Sequence, residues 1–502
     1  MYTNSRKALY IIFTGLFVEN LLRGVRSMNS WKRVKALLGS CLVILVVIFL
    51  GCQVSQSAAP AVSEKVLTIG NLGPLTGPLR ALGQGSKGVN DYINYINDQG
   101  GIKYLDPKTG KEEVVKLKGL MGDHAYDGVK SISLYERYKA AGMDLVMCTG
   151  STPAEAIFSL CARDHIPGFV VTSGVSPTLY DVPEPYLAMN GASQPIYTSA
   201  LVAWYANEWK KSGKTDKFKV GLISADVPTR HLCDNDEAYG FKTYVRDVLG
   251  AELVAIAYIP QAPIDVKAEL SRMIDGGANL VMVDHWGTSA FKVLMNDALT
   301  LGMHKKGIIL NLEWIPPDVI MNEPAIFDEY NKVSRVEALS EGWNGNEPAE
   351  VVAKYPGLKL AFDVCAKYHN GDIPEKQGGW FYVYGVKEMM LGEQVIKQTL
   401  ERTGWTNFSK EELRKTIFNM KNIDTGGLCP TFTPDPKILM TLPSMAITDI
   451  QNGHVITDLK KRPFLVANSG MKIWPDYRIT VSNEWQPFVW APPEFPKALM
   501  GK

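Results

Sequence analysis

The body of the sequence alternates short apolar runs with segments of helical periodicity, and this alternation constrains the fold more than any other feature. The first apolar run, at 65–70, predicts a strand. Residues 79–97 predict a helix, because Val89, Ile93 and Ile96 recur at helical spacing. Strands that alternate with helices predict βαβ units, whose parallel sheets are covered by helices on both faces.

The same alternation recurs along most of the chain. Further strands are predicted at 117–121, 144–148, 168–171, 219–224, 252–258, 279–283 and 307–311. Helices are predicted at 128–140, 153–163, 195–211, 237–249, 265–275, 288–301, 379–400 and 410–420. Residues 316–374 have a less regular pattern, and late strands are predicted at 445–449 and near Ile456. A single parallel sheet of this many strands would be unusually wide, so we expect two sheets.

Ligands of such sheets bind beyond the carboxyl ends of the strands. We therefore expect binding groups in the loops that follow six strand ends, at Ile69, Cys148, Val171, Ser224, Val283 and Asn311.

Residues 1–61 form a basic, apolar leader with seven basic residues and one acidic residue. Residues 31–35 are positively charged, and 36–51 form an uncharged apolar run that is short for a membrane-spanning helix. Together they predict an export signal. Met28 stands where a conventional signal would begin, so residues 1–27 could be an extension from a different start codon.

The signal offers three outcomes that the sequence leaves open. Residues 49–52 resemble a lipobox, in which Cys52 would be lipidated and become the mature N-terminus. The small residues at 59–61 allow ordinary cleavage instead, and the third outcome is an uncleaved anchor at 42–50. Each of them predicts a location in the periplasm or at the outer face of the cytoplasmic membrane.

Charge and cysteine usage exclude several functional classes. The formal net charge is +1, and without the leader it becomes about −5, which argues against nucleic acid as a partner. The five cysteines of the body have no CxxC spacing, which excludes a typical zinc or thioredoxin-like site. Their odd number leaves at least one free thiol, and we expect buried, inert cysteines.

No motif predicts catalysis, a cofactor or a metal site. Residues 83–88 fit the GxGxxG spacing, but a long loop separates them from the strand, so we interpret these glycines as close-packing positions. Asp123-His124 and Asp284-His285 are adjacent in sequence and would not face one another on regular structure. We therefore expect no enzyme, although catalytic groups can also meet only in space.

An ordered set of short motifs carries a family resemblance. A strand is followed by Pro74-Leu75-Thr76-Gly77, a glycine-spaced helix and Gly100-Gly101. Later matches, in order, are Gly150-Ser151-Thr152, Ile166-Pro167, residues 176–179 and Tyr239-Gly240. This order resembles the branched-chain amino-acid (leucine-binding) type of periplasmic binding protein of ABC transporters, from about residue 66 to 457.

The resemblance implies an α/β fold of two Rossmann-like lobes, the type I periplasmic binding protein fold. Parallel sheets flanked by helices form each lobe, and three crossovers form a hinge about which the lobes close on a ligand. We predict lobe 1 at 62–190 and 338–435, lobe 2 at 191–337 and 436–470, and a C-terminal tail at 471–502.

The first lobe would supply hydroxyl groups to the ligand. In the resembling family, a serine at the position of Ser151 binds the ligand carboxylate at a helix N-terminus, and Thr152 adjoins it. The alternative is that these residues only cap the helix. Thr172 and Ser173 follow the next strand, but Val175 stands where the family often has a threonine. Thr172 or Ser173 would therefore have to contact a ligand amine there, and a plain turn is the alternative.

The second lobe would supply charge and aromatic surface. Glu313 matches a glutamate that pairs with the ligand ammonium in the amino-acid binders, and an exposed loop acid is the alternative. Tyr239 and Trp286 match aromatic residues that line the family's cleft. For Trp380 and Tyr384, ordinary core packing is the favoured interpretation.

Capture of an amino acid or related solute for an ABC permease of the cytoplasmic membrane is the favoured function. A ligand-binding module for a membrane sensor would use the same fold, and an exported enzyme is the less favoured third alternative.

Overall fold

Two sheets dominated by parallel strands organise the protein, as the alternating pattern predicts. The computed structural model describes residues 65–171, 184–189, 194–227, 230, 241–285, 287–312, 324–332, 334, 336–340, 343, 345–421, 423–428, 445–451, 454–456, 464–467 and 479–482. The chain divides into Met1–Glu64 and Lys65–Lys502. The first unit, with Cys52 and the predicted signal, lies outside the described residues.

The first sheet has six strands in the order β2-β3-β1-β4-β5-β6. The strands are β1 (Val66–Gly73), β2 (Ile102–Leu105), β3 (Glu112–Asp123), β4 (Leu145–Thr149), β5 (Gly168–Val171) and β6 (Leu187–Met189). The helices between them are α1 (Gly83–Asp98), α2 (Gly128–Ala140) and α3 (Ser151–Arg163). Only β2 is antiparallel to its neighbour, and the other pairs are parallel.

The second sheet has nine strands among the described residues, in the order β15-β14-β12-β11-β10-β9-β7-β8, with β13 beside β12. Its parallel part contains β7 (Lys219–Ala225), β8 (Glu252–Ile259), β9 (Leu280–Asp284), β10 (Ile309–Leu312) and β11 (Val336–Ser340). The late strands β12 (Met445–Gln451), β13 (His454–Ile456), β14 (Phe464–Ala467) and β15 (Ile479–Ser482) are antiparallel.

Helices connect and cover these strands. The helices within the second sheet's segment are α4 (Gln194–Lys211), α5 (Phe241–Thr243, continued by a π-helical turn over Tyr244–Val248), α6 (Lys267–Asp275), α7 (Thr288–Thr300) and α8 (Pro324–Asn331). The helices that follow β11 are α9 (Ala349–Lys354), α10 (Pro356–Tyr368), α11 (Trp380–Thr403) and α12 (Lys410–Ile417).

Local sequence signals explain where several helices begin. The Asp127 side chain accepts a hydrogen bond from the N–H of Lys130 at 2.8 Å, which satisfies one of the free donors at the start of α2. Ser409 does the same for Glu412 at the start of α12. These polar caps precede apolar periodic segments, so the sequence specifies the starts of both helices.

The glycines of α1 allow close helix packing, which confirms their interpretation as packing positions. A Cβ on Gly88 would lie 2.3 Å from the carbonyl oxygen of Tyr382, and one on Gly385 would lie 1.9 Å from that of Gly85. Helices α1 and α11 therefore approach with backbone against backbone. No nucleotide-binding geometry is needed to explain the GxGxxG spacing.

In the part of the chain that the structure describes, three buried apolar clusters form the core, and the first of them spans both sheets. It contains Leu72 and Val146 of the first sheet together with Leu222 and Met282 of the second sheet. The second cluster lies between the first sheet and helices α1, α10 and α11. The third cluster is centred on the second sheet and α7, and it includes residues from the first-sheet side. The two sheets therefore share apolar packing.

The structure differs from the prediction where periodicity is incomplete. The predicted helix start at 79 is wrong, because Leu79 and Leu82 lie in tight turns and α1 begins at Gly83. Strand β2 was not predicted, since four residues carry too short an alternation. The segment 316–374 contains α8, β11, α9 and α10, which is more regular than expected.

The lobe boundaries remain a prediction. Strand β11 spans the predicted boundary between residues 337 and 338, and β15 lies within the segment predicted as a tail. Among the residues that the structure describes, no helix combines the length and apolar character needed to cross a membrane.

Candidate functional site

Ser151 opens α3 directly after the carboxyl end of β4. Gly150 occupies the N-cap, with no side-chain capping hydrogen bond, so Ser151 does not act as the cap. Ser151 is 6% exposed, and Thr152 follows it in the first helical turn. Free N–H groups and the helix dipole make such a turn a suitable site for an anion.

Tyr126 also belongs to this part of the first-sheet edge, although no sequence motif includes it. Its hydroxyl shares a hydrogen bond with Ser151 Oγ at 3.1 Å. Gly150 has a φ of +99°, and a Cβ there would lie 2.4 Å from the tyrosine ring. The glycine therefore lets the ring lie against the start of α3. Burial raises the pKa of Tyr126, although Ser151 and the charge of Arg230 act in the opposite direction.

The backbone before Tyr126 is strained and held by His124. Ala125 and Tyr126 have φ values of 49° and 62°, which non-glycine residues seldom adopt. Nδ1 of His124 accepts the N–H of Tyr126 at 3.0 Å. Burial lowers the pKa of His124 to about 4, so the ring is neutral at pH 7. No sequence pattern signals this turn, because its cause is the local hydrogen bonding.

Asp123 ties the loop after β1 to the end of β3. Its Oδ1 accepts the N–H of Leu75 and that of Ala125, each at 2.8 Å, and Oδ2 accepts the hydroxyl of Thr76 at 2.5 Å. Burial acts to raise the pKa of Asp123. The hydrogen bonds from Thr76, Ala125 and Leu75 act in the opposite direction and leave this pKa lowered. The Pro-Leu-Thr-Gly loop is thus fixed to the first-sheet edge.

Three polar side chains form a buried row at the carboxyl edge of the second sheet. Ser224 on β7 lies opposite Asp284 on β9, and Asn311 on β10 lies opposite Met282. Register and alternation place the three on one face. Asn311 Nδ2 donates to the hydroxyl of Tyr205 at 2.9 Å. Within the described part of the chain, Ser224 Oγ and Asn311 Oδ1 have no hydrogen-bond partner.

Arg230 adds a buried positive charge to this row. Its guanidinium lies 3.0 Å from a carboxylate oxygen of Asp284, and the two residues are 5% and 1% exposed. No sequence signal indicates this pair, because the two residues are far apart along the chain. Only the folded chain brings Arg230 and Asp284 together.

His285 holds the backbone at the end of β9. Its Nε2 donates to the carbonyl oxygen of Pro260, and its Nδ1 accepts the N–H of Gly287, both at 3.0 Å. Burial lowers the pKa of His285 to about 4, so this ring is also neutral at pH 7. The residues on both sides of Trp286 are therefore held by hydrogen bonds at the second-sheet edge.

The third apolar cluster joins the two edges. Leu79 and Leu82, from the loop before α1, are buried together with Val283 and Phe291 of the second-sheet side. Phe381 belongs to the same cluster, and the partly buried Tyr126 and Trp380 pack against it. Polar groups at the two edges are thus bordered by apolar surface.

Several predicted site residues lie outside the described residues. These are Thr172, Ser173, Tyr239, Trp286 and Glu313. Of the predicted ligand contacts, the structure places Ser151 and Thr152, both at the first-sheet edge. The positions of the others remain predictions.

The aromatic pair that we assigned to the core is packed. Tyr384 is buried in the second apolar cluster, and Trp380 stacks on Phe381 with ring centroids 4.0 Å apart. Both belong to α11, whose buried face explains the packing. Core packing is confirmed for Tyr384, and the partly buried Trp380 packs against the second and third apolar clusters.

The cysteines that the structure describes are inert in their surroundings. Cys148, Cys161 and Cys365 are buried and form no disulfide, and burial raises the pKa of each thiol. Among the described residues, no group of three or more histidine, cysteine, aspartate or glutamate side chains could hold a metal ion. The candidate site is therefore the polar edge of the two sheets.

Comparison with known proteins gives a consistent result. Residues 66–314 match the family model described as periplasmic binding protein. No curated protein matches the chain.

Solved structures of similar fold come from several transporters. A branched-chain amino acid ABC transporter structure from Thermus thermophilus with bound valine has a TM-score of 0.62 at 18% identity, covering 78% of this chain and 95% of that one. A solute binding protein from Rhodopseudomonas palustris BisB5 in complex with 3,4-dihydroxybenzoic acid has a TM-score of 0.57 at 18% identity, covering 78% and 95%. A fatty acid transporter substrate-binding protein from Thermomonospora curvata has a TM-score of 0.59 at 16% identity, covering 79% and 92%. At these identities the likeness shows the fold.

Proposed function

We propose that this protein, whose residues 66–314 match the family model described as periplasmic binding protein, is an extracytoplasmic solute-binding protein of an ABC importer. It binds an amino acid or a related small polar solute between its two sheets and presents the closed complex to a membrane permease. Its own chemistry is binding, and we infer no covalent reaction.

One observation carries this proposal. The N-terminal turn of α3, with Ser151 at 6% exposure, faces Tyr126, and Tyr126 in turn packs against residues of the second-sheet side. A helix N-terminus and hydroxyl groups suit a carboxylate. The similar structures were solved with valine and with 3,4-dihydroxybenzoic acid, both of which carry a carboxylate.

The remaining site residues are part of the proposal. Thr152 adds a hydroxyl to the carboxylate site, and Thr172 and Ser173 contact the solute from the following loop. Glu313 pairs with a cationic group of the solute. Tyr239 and Trp286 form the walls around its side chain. All of these roles follow the family pattern. Those of Thr172, Ser173, Trp286 and Glu313 also rest on the strand ends that precede them, at Val171, Asp284 and Leu312.

Location and division into lobes follow from the same proposal. The family is extracytoplasmic, and the leader at 1–61 is the predicted export signal, with Cys52 as the lipidation position if the lipobox is used. The two predicted lobes are the units that close on the solute.

Calorimetry tests the proposal. We expect titration with α-amino acids, neutral amides, urea and aromatic acids to show saturable binding of at least one solute. For a carboxylate solute, Ser151→Ala should weaken binding by about 10-fold, the effect of one hydrogen bond to a charged group. Ser133→Ala is the control, because Ser133 is an exposed helical serine of α2.

Two results would count against the proposal. Binding of a neutral amide without binding of any α-amino acid would refute the zwitterionic solute. An absence of saturable binding across all four solute classes would refute small-solute capture.

A further inference from the structure

We infer that Arg230 is the second half of the carboxylate site. It approaches from the second-sheet side the same carboxylate that Ser151 receives on the first-sheet side, and so restricts the solute to carboxylates. The inference rests on the proposed function, because it assumes that a solute binds between the two sheets.

The burial of Arg230 is the first argument. A buried ion pair seldom stabilises a fold, because removing both charges from water costs several kcal/mol per ion. Arg230 and Asp284 are nevertheless both buried, with 3.0 Å between a guanidinium nitrogen and a carboxylate oxygen. Stability alone therefore gives little reason for the pair, and a role in recognition gives a better one.

The placement of the guanidinium is the second argument. Arg230 lies five residues beyond β7, and its N–H donates to the carbonyl oxygen of Val227 at 3.0 Å. Asp284 ends β9, which neighbours β7 in the sheet. The carboxyl edge of a parallel sheet is where ligands bind. Asp284 therefore holds the arginine at the position where a solute would meet the second sheet.

Convergence on Tyr126 is the third argument. Arg230 lies close enough for its charge to favour the ionised form of Tyr126, which belongs to the first-sheet edge. The Tyr126 hydroxyl lies 3.1 Å from Ser151 Oγ. Tyr126 also packs against the apolar cluster that contains Val283, the residue before Asp284. This contact brings the guanidinium, the two hydroxyls and the helix N-terminus toward one space. All of them donate hydrogen bonds or carry positive charge, and a carboxylate is the group that accepts from all of them.

Asp284 makes the site selective. Asp284 lies 3.0 Å from the guanidinium and balances part of its charge, so an anion that cannot reach both Arg230 and Ser151 gains little from the site. A neutral carboxamide also gains less, because it offers the guanidinium no negative charge. We therefore expect discrimination between a carboxylate and its own amide.

Matched ligand pairs test the inference. Binding to the full chain is measured by calorimetry for L-valine against L-valinamide, and for 4-hydroxybenzoate against 4-hydroxybenzamide, with inorganic phosphate as a further anion. We expect at least one carboxylate to bind, and its amide and phosphate to bind at least 10-fold more weakly. Arg230→Gln should weaken carboxylate binding by about 10- to 100-fold, the range for a charge-assisted hydrogen bond in a desolvated site.

Two further variants keep the test interpretable. Arg246→Gln is the matched control, because this arginine is exposed and forms an ion pair with its neighbour Asp247. It should bind like the wild type. Arg230→Gln could fail to fold, since it leaves Asp284 buried without its partner. The double variant Arg230→Gln/Asp284→Asn removes both charges and should fold while losing the preference for the carboxylate.

The outcomes separate the inference from the function. If the wild type binds a carboxylate and the double variant binds it equally well, the inference is wrong and solute capture stands. Binding of amides or phosphate as tightly as carboxylates also overturns it. If no member of either pair and no other small solute binds the wild type, the proposed function itself fails.

Discussion

Two Asp-His pairs, one at the carboxyl edge of each sheet, have similar histidines and different aspartates. His124 and His285 each accept, at Nδ1 and 3.0 Å, the backbone N–H two residues ahead, and burial lowers the pKa of each to about 4. Asp123 accepts backbone and hydroxyl hydrogen bonds from a loop. Asp284 holds the buried guanidinium of Arg230 instead.

The difference shows how one dipeptide serves two purposes. The histidines act as neutral turn formers in both places, because Nδ1 of a neutral imidazole can accept the backbone N–H that closes the turn. The aspartate takes the partner that the surrounding fold supplies. At the first sheet that partner is the loop at 74–77, and at the second sheet it is a charge. The first edge therefore offers neutral donors, and the second edge offers an ion pair.

Replacing each aspartate by alanine should produce the largest difference in stability between the two sheet edges. Asp284→Ala leaves Arg230 buried without its carboxylate, which costs about 3–5 kcal/mol of unfolding free energy. Asp123→Ala removes hydrogen bonds to a more exposed loop and should cost about 1–2 kcal/mol. Urea denaturation of both variants measures the difference. Equal losses would mean that the two aspartates have equivalent surroundings.

The two histidines should make the protein sensitive to acid. Their pKa of about 4 in the folded state lies below the ordinary value of 6.5, so the unfolded chain binds protons first as the pH falls. Their contribution is fully present above about pH 6.5 and is lost as the pH falls to about 4, by about 3 kcal/mol for each histidine.

Single substitutions separate the two contributions. His124→Gln and His285→Gln should each flatten the pH dependence of the unfolding free energy, measured by urea titrations between pH 7 and pH 4. The double variant should flatten it further. An unchanged slope in either single variant would show that the histidine at that edge is not buried in its neutral form.

The packing of Tyr126 should depend on Gly150. Gly150→Ala places a Cβ 2.4 Å from the ring at a φ of +99° and should cost about 1–3 kcal/mol while displacing Tyr126. Gly142→Ala is the control, because Gly142 has a φ of +85° and open space around its Cβ position. Thermal unfolding of both variants separates the clash from the backbone strain. Equal losses of stability in the two variants would show that the clash between the added Cβ and the Tyr126 ring does not contribute to the loss.

The hydroxyl of Tyr126 should give the smallest effect. Tyr126→Phe removes its hydrogen bond to Ser151 and keeps the ring, so the loss of stability should be about 0.5–1.5 kcal/mol. Calorimetry should show that solute affinity falls by only a few-fold, because the remaining ring still covers the start of α3. A gain in affinity would show that the hydroxyl competes with the solute for Ser151.

Much of the fold was predictable from local pattern. Strand β5 and helix α2 agree with their predicted bounds, and most other predicted elements agree within a few residues where they are described. The position of Ser151 after β4 followed from a strand, a glycine and a helix start in succession. These features are predictable because periodicity and capping are properties of one segment at a time.

The candidate site was predictable only in part. Ser151 and Thr152 lie at the edge where the pattern directed attention, and the roles of Tyr239, Trp286 and Glu313 remain predictions. Tyr126 was missed because nothing in its neighbours along the chain indicates a left-handed turn. Arg230 was missed because a lone arginine in a charged loop is usually exposed.

The sequence by itself determined the order of most strands and helices, the presence of two sheets and the packing role of the glycines in α1. Tertiary structure alone decided that β3 lies beside β1, that one apolar cluster spans both sheets, and that Arg230 meets Asp284. The physical reason is distance. Periodicity and capping act within one segment, whereas strand pairing and a buried ion pair depend on which distant segments the folded chain brings together.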